Sequence, residues 1–136
     1  MPRILAALLA TVLVASLTAC ASVDDTLGDA ADAGAAAAGS AAIAAGLHTD
    51  GRALTPLTDT VLADAVGELT DASRAVLELT PDDPDDETAR DAVERALRDG
   101  IDAVTDARAA LARGDDLGPW VDRLEATRDA LAKAAP

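Results

Sequence analysis

The 136-residue chain contains no Phe and no Tyr, and only one each of Trp, Cys, His and Lys. Each scarcity excludes something. A lone cysteine allows no disulfide within the chain, and with His48 the only imidazole a soft-metal centre built from several Cys or His ligands is ruled out. Ser40, His48 and Asp50 can be written down as a nucleophile, base and acid, but no elbow or cradle surrounds Ser40. No Gly-rich loop follows a strand-like run, and the glycines near Ser40 lack a phosphate-binding lysine. These gaps predict no enzyme and no cofactor. Positive charge is scarce as well: 11 Lys and Arg stand against 25 Asp and Glu, a formal charge of −14. Such a field repels phosphates, which predicts no nucleic-acid partner and leaves basic proteins or cations as the charged partners of choice.

What is present begins with an apolar leader. Arg3 and the amino terminus supply positive charge, Ile4 to Ser16 form an apolar run, and Leu17-Thr18-Ala19-Cys20 closes it with small residues and the single thiol. The run is too short for the roughly 20 residues that a membrane-crossing helix needs, so it reads as a processed export signal. The order Leu17, Thr18, Ala19, Cys20 resembles the lipobox of bacterial lipoproteins, a resemblance confined to these leader residues. It implies cleavage between Ala19 and Cys20, diacylglycerol on the Cys20 sulfur, and acylation of the new amino terminus. Several acyl chains anchor firmly where one binds only marginally, at about 0.8 kcal/mol per buried CH₂. The expected location is the outer face of the cell membrane, or the outer membrane in a bacterium that has two. The plainer alternative, an ordinary secretory signal with an incidental cysteine, does not explain why the one Cys falls at this position.

The sequence thus predicts a signal peptide at 1–19, a lipidated tether at 20–29 and a domain at 30–136. The tether reading rests on Asp24, Asp25 and Asp29 and on few apolar side chains. From Cys20 onward 30 alanines outnumber 23 large apolar residues, so the helices should approach closely and bury little area each. The stretch 30–47 is almost all Ala and Gly, with Ile43 and Leu47 one turn apart near its end. It reads as a smooth-faced helix packed inside the chain; self-association through Ala38 and Gly39 is another use of such a face. His48-Thr49-Asp50-Gly51 is a turn, and Thr55-Pro56 looks like a cap followed by a first-turn proline. Leu62, Val66, Leu69, Ala72, Val76 and Leu79 then recur at helical spacing, with Leu57, Val61 and Leu77 widening the stripe.

Pro81 to Glu87 is the densest charge run. Asp82, Asp83, Asp85, Asp86 and Glu87 could ligate a hard cation through oxygen, although they lack the alternation and central glycine of an EF-hand loop. Capping is the simpler account: Asp83 at the N-cap, Pro84 first in the helix, and Asp85 to Glu87 facing the positive end of its dipole. A third helix carries Val93, Leu97, Gly100, Val104, Ala107 and Leu111 on one stripe, with Asp86 and Arg90, Asp91 and Arg95, and Glu94 and Arg98 spaced for ion pairs. After Gly114 to Pro119 a shorter helix runs from Trp120, expected to plug one end of the core, to Lys133.

The predicted fold is all-α: a small antiparallel bundle of three long helices plus a shorter fourth, with turns near 48–55, 80–84 and 114–119. The predicted function is a non-enzymatic envelope lipoprotein that binds or spaces another extracytoplasmic protein, with the membrane itself contacted through the lipid. The alternative is a lipoprotein that binds a cation or small ligand at 82–87.

Overall fold

The computed structural model describes residues 22–136, so the lipobox residues Ala19 and Cys20 lie outside the described residues. Among the described residues four helices make up the fold: α1 (Val23–Thr49), α2 (Thr55–Leu77), α3 (Pro84–Arg113) and α4 (Gly118–Ala134). Helices of 27, 23 and 30 residues followed by one of 17 form the antiparallel bundle that the apolar spacing predicts. Helix α1 packs most extensively on α4 and α2, α3 closes the square between them, and α1 and α3 meet across the diagonal.

The start of α1 corrects the tether. Ser22 is a true N-cap: its Oγ accepts from the Asp25 amide at 3.1 Å, and the Ser22 amide donates back to Asp25 Oδ2 at 3.3 Å. This reciprocal capping box satisfies two donors that a helix end leaves orphaned. Asp24 and Asp25 therefore sit in a first turn where the dipole favours them. Leu27 is fully buried, so residues 23–29 belong to the bundle and not to a linker.

The remaining ends follow the local chemistry. Gly51 takes a left-handed φ of 68° after α1. Thr55 proves to be the first residue of α2 and not its cap; Leu54 holds the cap position without a side-chain bond, and Pro56 still occupies the first turn. Asp83 caps α3 as expected, its Oδ1 accepting from the Asp85 and Asp86 amides, each at 2.9 Å. At the other end of α3, Gly114 at φ 74° lets the Gly114 and Asp115 amides reach the Leu111 and Ala110 carbonyls, both at 3.0 Å, the paired bonds of a Schellman motif.

The core is a seam of Leu and Val from α2, α3 and α4 laid against alanines of α1. Leu62, Leu69, Leu97, Val104, Leu124 and Leu131 are fully buried, and from α1 they meet Leu27 together with Ala31, Ala37, Ala38, Ala41 and Ala45. Gly34 shows how tight the diagonal is: a Cβ there would stand 2.6 Å from Leu97 Cδ2. Trp120 is not the plug. It is half-buried at the edge of the core, with the Arg123 guanidinium 5.2 Å from its ring centroid, while Leu117 fills the end position with 1% exposure. The smaller residue holds the N-cap of α4, and Trp120, one turn on, packs against the core only in part.

Ion pairing also differs from the spacing rule. Of the three pairs expected along α3 only Glu94 and Arg98 meet; Arg90 turns to its neighbour Asp91 at 2.9 Å. Two pairs tie helices together instead: Arg108 to Asp59 between α3 and α2, at 2.7 Å, and Arg123 to Asp106 between α4 and α3, at 3.1 Å. An arginine has enough reach to choose a partner on the next helix, and the bundle, not the spacing, decides which.

Candidate functional site

The most conspicuous surface lies at the hairpin that joins α1 and α2. Ile43, Leu54 and Leu57 are 66%, 78% and 60% exposed, beside half-buried Leu47 and Val61 and fully buried Leu62. The helical angle explains why. Leu57 lies five residues before Leu62, about 140° around the helix at 100° per residue, and so cannot share the core stripe of Leu62, Ala65 and Leu69. Ile43 is likewise about 200° from both Ala41 and Ala45, which face inward. The grouping of Ile43 with Leu47, and of Leu57 and Leu77 with the core, is therefore corrected: Ile43, Leu57 and Leu77 face solvent, and Leu47 is only half-covered.

Between Ile43 and Leu47 on α1 and Leu57 and Val61 on α2 runs an open-sided cavity of about 250 Å³, floored by Ala44 and Thr58. Thr58 is fully buried, and its hydroxyl is satisfied by donating to the Leu54 carbonyl at 3.2 Å. The cavity thus presents almost no free polar group. Farther along the same seam, toward Ser22, a second hollow of about 440 Å³ lies between Asp29, Ala33 and Ala36 of α1 and Glu68, Asp71 and Ala75 of α2.

The residues singled out by chemistry do not converge. Ser40 lines the apolar hollow, but His48 lies two turns on along the same helix, about 12 Å away at 1.5 Å per residue. The His48 Nδ1 is buried without a hydrogen-bond partner. Of the acids from Asp82 to Glu87, two are used locally: Asp83 caps α3, and Asp86 Oδ2 accepts from the Asp82 amide at 3.4 Å, while Asp82 and Glu87 border a shallow hollow with Arg90. Among the described residues no group of three or more His, Cys, Asp or Glu side chains is placed to hold a metal ion. The expected self-association face is also spent inside the chain, since Ala38 is fully buried and a Cβ at Gly39 would stand 3.4 Å from the Arg128 side chain.

By length and composition α1 is the one described helix that could cross a bilayer, with a most apolar window of mean hydropathy 1.3. Half of that window is buried against the other helices, the placement of a core helix. An apolar helix this close to the amino terminus is compatible with export. No family model, curated protein or solved structure matches the chain.

The exposed hairpin surface departs from the wide apolar stripe that the spacing predicts, because residues at the margins of such a stripe lie too far round the helix to reach the core. A stricter stripe through Leu62, Ala65, Leu69, Ala72 and Val76 leaves Leu57 and Leu77 outside it, which is the sequence signal for their exposure.

Proposed function

We propose that the chain is an exported lipoprotein, anchored through Cys20, whose helical bundle is a non-enzymatic module that holds another extracytoplasmic protein at the membrane surface. The observation that carries the binding half is the apolar surface of Ile43, Leu54 and Leu57 at one end of an otherwise acidic molecule. A soluble bundle gains nothing from displaying clustered large side chains to water, and such patches mark interaction surfaces. The anchoring half is supported by Leu17-Thr18-Ala19-Cys20 and by the short distance from Cys20 to the cap of α1. Two residues span at most about 7 Å, so the Ser22 end of the bundle sits close to the lipid. The hairpin lies at the far end of α1, about 37 Å away along the helix, where a neighbour in the envelope can reach it.

Fractionation of cells expressing the full chain tests the anchor. Wild type should partition with membranes as a cleaved, lipid-modified species, and Cys20→Ser should run as the uncleaved precursor or leave the membrane fraction. A variant that migrates and fractionates like wild type overturns the anchor.

A further inference from the structure

The two hollows lie in line along one seam and together form an interrupted groove. On α1 the lining residues Thr26, Asp29, Ala33, Ser40 and Leu47 fall within one arc of the helix, and on α2 Leu57, Val61, Glu68, Asp71 and Ala75 do the same. The two stretches are parted by one turn of α1, from Ala36 to Ser40, and on α2 by the gap from Val61 to Glu68, which exposed Asp64 occupies. The groove therefore follows the α1–α2 seam from Thr26 to Leu47, about 32 Å at 1.5 Å per residue. Its floor is mostly alanine, with Thr58 at the hairpin end, which lets another backbone come close. Its two halves differ in character: apolar at the hairpin, acidic toward Ser22.

That acidity is distinctive even in this chain. The hollow between α3 and α4 contains Arg95 and Arg123, and the one between α2 and α3 contains Arg108 bound to Asp59. The α1–α2 groove is lined by Asp29, Glu68 and Asp71 and by no basic side chain. Only Asp71 has an ion-pair partner, Arg74 one turn along, at 2.8 Å. Resting on the proposed role as a binding module, we propose that this groove receives a single amphipathic helix of a partner protein, with large apolar side chains over the hairpin half and Lys or Arg over the acidic half. The length suits about six turns of helix. The charge selects against a second copy of this chain, whose own seam is equally acidic, and against an anionic lipid surface. Recognition of this kind reads an apolar anchor for affinity and opposite charge for orientation and partner choice.

The test uses the full chain as isolated from cells, in zwitterionic nanodiscs if it carries lipid and free in buffer if it does not, so that the anchor and the groove succeed or fail separately. The probe is a synthetic helix of about 21 residues with Leu on one face of its first half and Lys on the same face of its second, beside a copy with Glu for Lys. Titration calorimetry should show micromolar binding that weakens with salt, and the Glu copy should bind at least about tenfold more weakly. Leu57→Asp and Glu68→Lys should each weaken the Lys peptide by about tenfold or more. Both positions are exposed, so unchanged helical circular dichroism and melting exclude unfolding as the cause. Three results overturn the proposal: no binding at millimolar peptide, equal binding of both peptides, or binding indifferent to the two variants. A chain that dimerises in sedimentation, and becomes monomeric with Leu57→Asp, assigns the groove to a second copy and overturns it as well.

Discussion

Gly34 and Gly67 look alike in the sequence, each a glycine inside a helix, and the structure gives them opposite consequences. A Cβ at Gly67 meets nothing within 4 Å, so Gly67→Ala should raise stability by up to about 1 kcal/mol through helix propensity. A Cβ at Gly34 would stand 2.6 Å from Leu97 and 3.3 Å from Leu131, both fully buried. Repacking there costs roughly 1–3 kcal/mol, more than the propensity gain, and Gly34→Ala should lower the melting temperature while Gly67→Ala raises it. Thermal denaturation of the two variants side by side is the check. At the same scale Leu57 and Leu62 are both leucines on one helix, one 60% exposed and the other fully buried. Neither distinction is visible in residue type; both follow from angle around the helix and from what stands opposite.

Among the elements, α3 is the one whose ends are written most plainly. Asp83 is the N-cap, Pro84 fixes the first turn, and Gly114 reverses the chain, all at positions where backbone donors or acceptors would otherwise lack partners. Asp83→Ala removes an acceptor that serves two amides and should destabilise the protein by about 1 kcal/mol, within the usual 0.5–2 range for lost caps. Denaturant unfolding should show a lowered midpoint with an unchanged slope. The start of α1 was less plain because its box uses Asp25 in place of the usual Glu or Gln, and because a run of acids resembles a solvated linker until Leu27 is seen to be covered. Helix α2 lacks a side-chain cap altogether, so Thr55 misleads by one position.

At the scale of the whole molecule, two ion pairs join neighbouring helices, beside the local ones along each helix. Arg108 donates to Asp59 across α2 and α3, and that hydrogen bond together with the adjacent positive charge holds the Asp59 carboxyl below its ordinary value of 3.8. A carboxylate whose pKa is lower folded than unfolded stabilises the fold above the ordinary carboxylate range, and that contribution disappears as pH falls through the lowered value. The pair is solvent-exposed and screened, so its effect is small. Asp59→Asn should leave neutral-pH stability nearly unchanged and make the acid limb of the melting-temperature profile shallower below about pH 4, read against wild type in low salt. An identical acid limb in the variant would show that the pair contributes nothing.

The sequence by itself determined the class of fold, the number of helices, the cap at Asp83 and the break that begins at Gly114. Those depend on spacing, propensity and the backbone's need for partners, all of them local in the chain. It also supplied the Leu17 to Cys20 signal on which the anchoring proposal rests. Only the tertiary structure decided that residues 23–29 are core, that Leu117 and not Trp120 closes the end, that Ala38 is buried, and that Ile43 and Leu57 flank an open groove. Alanine is the physical reason. A helix rich in alanine is compatible with burial on nearly every face, so its sequence does not say which side meets which neighbour, and the side left uncovered becomes visible only once the other three helices are in place.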